Sequence, residues 1–180
     1  MKAIIFDFGG VIALHKGLYY VPVFPDVEMW HRAENGEISE EEFWKKLEEY
    51  YHKSSDEILK MLVAERELNV PLIEFLKEKG KQLKLGFINN GLSRLTEKLI
   101  KDWGLGQIFA VMIISSKEKL SKPDPKIFLL ACERLGVRPE DCIFIGRKGS
   151  YVEVAQSLGM KGFVYEAFSS FKAQISKLFD

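Results

Sequence analysis

Cysteine is scarce in this 180-residue chain: Cys132 and Cys142 are the only two, and both lie in apolar stretches. Such a pair builds neither a disulfide framework nor a cysteine-based zinc site, and it predicts a reducing, cytoplasmic compartment. An excess of either charge is also missing, because 26 Lys and Arg balance 26 Asp and Glu. With no long basic block, there is no electrostatic footprint for nucleic acid or an anionic membrane, and neither is expected as a partner. Long hydrophobic runs are absent as well. The first, Ala3 to Phe6, stops at Asp7, too short for a signal-peptide core, and nothing approaches the roughly 18 apolar residues of a membrane span. Gly/Ser tracts, Pro tracts and internal repeats are lacking too. What remains is 47% hydrophobic and 29% charged, an ordinary globular balance in a chain long enough for one domain with a modest insertion.

Short apolar runs at 3–7, 83–88, 110–114, 142–146 and 162–165 predict buried strands with helices between them. That alternation predicts an α/β fold: a Rossmann-like parallel sheet with helices on both faces. Helix boundaries are marked by Asn69 before Pro71, by Asp124-Pro125, and by Gly104 and Gly136 at two ends. Residues 15–69 have a different character. Ser39-Glu40-Glu41-Glu42 and Ser54-Ser55-Asp56-Glu57 are capping-box patterns followed by apolar residues at helical spacing, such as Phe43, Leu47 and Tyr51. The expected organisation is a core of 1–14 and 70–180 with a small helical cap, 15–69, inserted after the first strand. Tyr19, Tyr20, Phe24, Trp30, Phe43, Tyr50 and Tyr51 are expected mainly in the cap core, and His15, His31 and His52 at its surface.

Ligands of open parallel sheets bind beyond the carboxyl ends of the strands. There the chain offers Asp7-Phe8-Gly9-Gly10, Asn89-Asn90-Gly91, Ser115-Ser116 leading to Lys122-Pro123-Asp124-Pro125, and Gly146-Arg147-Lys148-Gly149-Ser150. One carboxylate, two amides, several cations and glycines whose amides can approach an anion suit a ligand the size of phosphate.

These segments carry a resemblance. In order, Phe6-Asp7-Phe8-Gly9-Gly10-Val11, Phe87-Ile88-Asn89-Asn90-Gly91, Lys122-Pro123-Asp124-Pro125 and Ile143-Phe144-Ile145-Gly146 onward to Leu158-Gly159-Met160 resemble the four motifs of the haloacid dehalogenase (HAD) superfamily. Glu34-Asn35-Gly36-Glu37-Ile38-Ser39 resembles part of its small helical cap. The resemblance implies that Asp7 is a nucleophile attacking phosphorus and that Lys122 balances charge. Gly9, Gly10, Asn89, Asn90, Gly91 and Arg147 would then hold phosphate. Asp7 could instead be a turn residue, Asn89 or Asn90 could complete the turn into the next helix, and Asp124 reads as a helix cap. Many members carry a second Asp two residues after the nucleophile as general acid; here that residue is Gly9.

The fourth motif departs most from the family pattern. Its members place acids after this strand to hold Mg²⁺, and this chain has Arg147 and Lys148. A guanidinium about 4 Å from a divalent ion would be repelled by roughly 8 kcal/mol at an effective dielectric of about 20. The expectation is therefore that Arg147 pairs with Asp7 and no cofactor is needed, with Mg²⁺ entering only if Arg147 turns away. Glu153 has capping-box spacing from Ser150 and reads as a cap rather than a ligand. Three functions follow: a weak or specialised phosphatase acting on a small phosphorylated molecule, a catalytically silent binding or interaction protein, and a metal-free carbon–halogen hydrolase.

Overall fold

The structure is a computed structural model and describes residues 1–16, 27–79 and 82–176. Strand β1, Ala3–Asp7, is buried along its whole length and lies at the centre of the sheet. It pairs in parallel with β4, Lys84–Asn89, on one side and β6, Cys142–Gly146, on the other. Outside these lie β5, Val111–Ile114, and β7, Lys161–Val164, giving the order β5-β4-β1-β6-β7. All five are parallel, and each matches an apolar run in the sequence to within about a residue or two. The winding reverses after β5, where the chain returns past β1 to form β6. That switch opens a crevice beside the end of β1.

Each face of the sheet has its own core. One contains Ile5, Ile113, Phe128 and Phe144 under α7, Pro125–Leu135, and α8, Gly149–Ser157. Phe6, Phe8, Phe87 and Phe109 belong to the other, which continues without a break into the insertion through Phe43, Leu47, Ile58 and Leu62. This shared packing makes the insertion part of the hydrophobic structure rather than a tethered appendage. The insertion contains α1, Val27–Glu34, α2, Glu40–Tyr51, and α3, Ser55–Ala64. Its ends are drawn together by an antiparallel ribbon of β2, Ala13–His15, and β3, Arg66–Leu68, which no apolar run announced.

Several end signals act as the sequence indicates. Ser54 and Glu57 form a reciprocal capping box, and the Ser39 hydroxyl accepts the Glu42 N–H at 3.1 Å. Gly104 and Gly136 adopt left-handed backbone after α5, Ser93–Asp102, and after α7. Buried Asn69 precedes α4, Val70–Lys79; it accepts the Leu72 N–H and donates to the Val11 carbonyl and the Tyr165 hydroxyl. The box expected from Ser150 to Glu153 does not form, because α8 starts at Gly149 without a side-chain cap. The ring of Trp30 packs edge-on against Phe43, whereas Tyr50 is exposed rather than in the core. Tyr19, Tyr20 and Phe24 lie outside the described residues. Cys132 and Cys142 are buried free thiols whose sulfurs lie 3.5 Å apart across the α7 and β6 interface.

Candidate active site

Directly after β1 the chain doubles back. The Phe8 carbonyl accepts the N–H groups of Ile12 and Ala13 at 2.9 Å, and Gly10 supplies the left-handed turn residue at φ 75°. This holds Asp7 at the strand end, only 6% exposed. Asp7 is in register with Ile88 of β4, and one cation reaches both. Lys122, from the loop before α7, donates to Asp7 Oδ1 at 2.5 Å and to the Ile88 carbonyl at 2.6 Å. Lys122 is 3% exposed, and burial pushes its ammonium pKa down against the opposing pull of Asp7. Among the described residues no donor engages Asp7 Oδ2, which leaves that oxygen available for chemistry.

Asn90 explains why Lys122 stands where it does. Its amide donates to the Lys122 carbonyl at 2.8 Å and accepts the Lys122 N–H at 2.9 Å, a two-point clamp on the peptide. Asn89 donates to Thr96 in α5 at 2.7 Å. Both amides are thus at the rim as the sequence indicates, with these hydrogen bonds directed to the fold. The Gly91 N–H donates to Ser115 Oγ at 3.0 Å. A Cβ built on Gly9 would meet nothing within 4 Å, so that position opens into space.

After β6 the character changes. Arg147 and Lys148 are exposed, and the Arg147 charge acts on His15 at the base of the insertion. There burial, Arg66 and Arg147 lower the imidazole from 6.5 to about 4. The expected pairing of Arg147 with Asp7 is therefore corrected: the ion pair of Asp7 is with Lys122. The physical reason is access. Lys122 is buried and its desolvation is offset by both Asp7 and the Ile88 carbonyl, whereas Arg147 stands exposed on the rim and would have to shed water to reach the same carboxylate. Tyr151, in the first turn of α8, contacts both cations, with Lys122 Nζ and Lys148 Nζ each 5.2 Å from its ring centroid.

One residue at this site had not been singled out from the sequence. Glu34, the last residue of α1, has a side chain only 16% exposed, and its charge acts on Lys122 and Tyr151. Its place follows from the turn beyond it. The Glu34 carbonyl accepts the Ser115 hydroxyl at 2.5 Å, and Gly36 (φ 71°) lies so close to Ser116 that a Cβ would stand 2.9 Å from its carbonyl oxygen. Only the Glu-Asn-Gly string hinted at it, as part of the cap resemblance.

Comparison with known proteins places this fold in a family. The family model for haloacid dehalogenase-like hydrolases matches residues 1–146. A phosphorylated carbohydrates phosphatase of Thermotoga maritima is 31% identical over 89% of this chain and 83% of its own length. Among solved structures, a HAD family enzyme from Bacteroides thetaiotaomicron, in complex with magnesium and inorganic phosphate, superposes with a TM-score of 0.80 at 20% identity. It covers 95% of this chain and 98% of that one. A predicted HAD-like family hydrolase from Porphyromonas gingivalis gives a TM-score of 0.83 at 22% identity, covering 99% and 97%.

The magnesium complexes overturn the expectation that no cofactor is needed. Magnesium takes one or two carboxylates together with phosphate oxygens and water. The Asp7 carboxylate is a ligand of that kind. Among the described residues no group of three or more His, Cys, Asp or Glu could complete a cage, so Asp7 would be the side-chain ligand, with substrate and solvent supplying the others. Among the described residues, too, no helix is long and apolar enough to cross a membrane. The family match over residues 1–146 establishes that the chain belongs to the haloacid dehalogenase-like hydrolases.

Proposed function

We propose that the protein is a phosphomonoester hydrolase in which Asp7 is the nucleophile and the substrate is a small phosphorylated carbohydrate. The observation that carries this reading is the buried Asp7–Lys122 contact, which engages one carboxylate oxygen and leaves the other to attack. Lys122 pairs with the carboxylate and stabilises the charge that gathers on the phosphoryl oxygens. Asn90 positions Lys122 through its peptide, and Gly9, Gly10 and Gly91 keep the approach narrow but free of side chains. Arg147 and Lys148 draw the phosphate dianion to the rim. When bound at Asp7, magnesium supplies further neutralisation of the transferring phosphoryl group. Asp7 forms a bond to phosphorus as the bond to the leaving oxygen breaks, and water then cleaves the aspartyl phosphate. The substrate class rests on the relative from Thermotoga maritima, which is named for phosphorylated carbohydrates.

The silent-module alternative is not favoured, since the buried half of the site is complete and the named relative is a phosphatase. Nucleic acid and membrane have no part in this reading, and two buried thiols suit a reducing cytoplasm. Assaying p-nitrophenyl phosphate with and without Mg²⁺, for the parent and Asp7→Asn, tests it. Turnover that needs Mg²⁺ and falls by at least about 10³-fold in the variant is expected; equal rates in the two proteins would remove Asp7 from the nucleophile's role.

A further inference from the structure

The reaction needs a proton on the leaving oxygen, and the position from which family members donate it is occupied here by Gly9. An alcohol leaves about 10²–10⁴ times faster when a placed acid protonates it. Among the described residues, Glu34 carries a carboxyl group that is largely buried and whose charge acts on Lys122 and Tyr151. It is delivered by the insertion rather than by a strand end, and its backbone is fixed to the phosphate cradle through one hydroxyl. Ser115 accepts the Gly91 N–H at 3.0 Å and donates to the Glu34 carbonyl at 2.5 Å. Gly36 against Ser116 anchors the next turn of chain on the same element.

We propose that Glu34 is the acid–base residue of this hydrolase, donating a proton to the leaving oxygen of an unactivated phosphate ester and then accepting one from the attacking water. The inference rests on Asp7 being the nucleophile. In the first step an Asp7 oxygen bonds to phosphorus, the ester P–O bond breaks toward the leaving oxygen, and that oxygen takes the Glu34 proton. In the second, water bonds to phosphorus and yields a proton to the Glu34 carboxylate. The Asp7 carboxylate and phosphate then depart, which restores both groups.

The surroundings of Glu34 suit an acid that must carry a proton near neutral pH. Burial pushes its carboxyl up, against the pull of Trp30, of His31 with Nδ1 at 3.2 Å, and of Lys148. Facing it from the core are Lys122, Tyr151 and, beyond them, Asp7. Glu40, six residues along the same insertion, shows what a purely structural glutamate looks like here. Burial would raise it too, but the N–H groups of Ser93 and Arg94 and the Ser116 hydroxyl hold it below the usual range. Glu40 is held by backbone donors at the start of α5; among the described residues none of these engages Glu34, whose charge acts on Lys122 and Tyr151.

The test uses Glu34→Gln in the full chain with Mg²⁺, on p-nitrophenyl phosphate, whose leaving group needs no acid, and on a hexose 6-phosphate, whose leaving group does. On the aryl ester the variant should release a rapid burst of about one nitrophenolate per enzyme and then turn over slowly, because attack survives and hydrolysis of the aspartyl phosphate does not. On the hexose phosphate no burst of alcohol should appear, and kcat should fall about 10²–10⁴-fold. The descending alkaline limb of the parent's pH profile should be lost with it. Equal slowing of both esters without a burst, or no change, would overturn the proposal while leaving Asp7 in place. Persistence of turnover in Asp7→Asn would instead overturn the nucleophile on which it rests.

Discussion

The rim of the site has two unlike arms. Along the ends of β1 and β4, Asp7 and Lys122 are buried against each other, and Asn90 clamps the lysine peptide from both sides. Beyond β6, Arg147 and Lys148 stand exposed on the first residues before α8, a helix without a side-chain cap. The first arm is preorganised because its charges cannot be solvated in any other arrangement. On the second, exposure to solvent means that water competes with the contacts its charges make. On the proposed reading, the nucleophile is built in, while ion and phosphate are recruited.

Removing the shared cation should break the contrast most severely. Lys122→Ala leaves a buried carboxylate unpaired and should cost about 3–5 kcal/mol of stability in urea unfolding, with loss of turnover. A cost within about 0.5 kcal/mol, typical of an exposed site, would show that the first arm is no more organised than the second. Arg147→Asp sharpens the contrast from the other side. Placing a carboxylate where a cation stands should lower the Mg²⁺ concentration for half-maximal turnover by at least about tenfold, equivalent to roughly 1.4 kcal/mol, with little change in stability. An unchanged Mg²⁺ dependence would place Arg147 too far from Asp7 to influence the ion.

The smallest effect concerns His15, where the exposed arm meets the base of the insertion. Its imidazole is lowered from 6.5 to about 4 by burial, Arg66 and Arg147. The unfolded chain therefore takes up this proton first as pH falls, and stability is lost between pH 6.5 and about 4. His15→Gln should retain on the order of 1 kcal/mol more stability than the parent at the lower end of that window, after allowance for solvent screening. Identical acid unfolding curves for the two proteins would show that the His15 ring is as well solvated folded as unfolded.

Much of the fold was legible because it is written locally. Apolar runs of a few residues mark all five parallel strands, and their carboxyl ends name Asp7, Asn89, Asn90, Lys122 and Arg147 as rim residues. The β2–β3 ribbon was not legible, since Ala13–His15 and Arg66–Leu68 are strands only because they meet. Nor was the partner of Asp7. Arg147 and Lys122 are equivalent as sequence charges, and their burial alone separates them. Glu34 and Glu40 likewise look alike until the donors around each are known.

By itself, then, the sequence determined the sheet, the order of its motifs and the family, because strand-forming runs and turn residues act over short stretches. Tertiary structure decided which charges meet. The Asp7–Lys122 contact joins residues 115 apart and the Ser115–Glu34 contact joins residues 81 apart. Whether a carboxylate is paired, capped or left protonatable depends on desolvation by neighbours that no local pattern specifies.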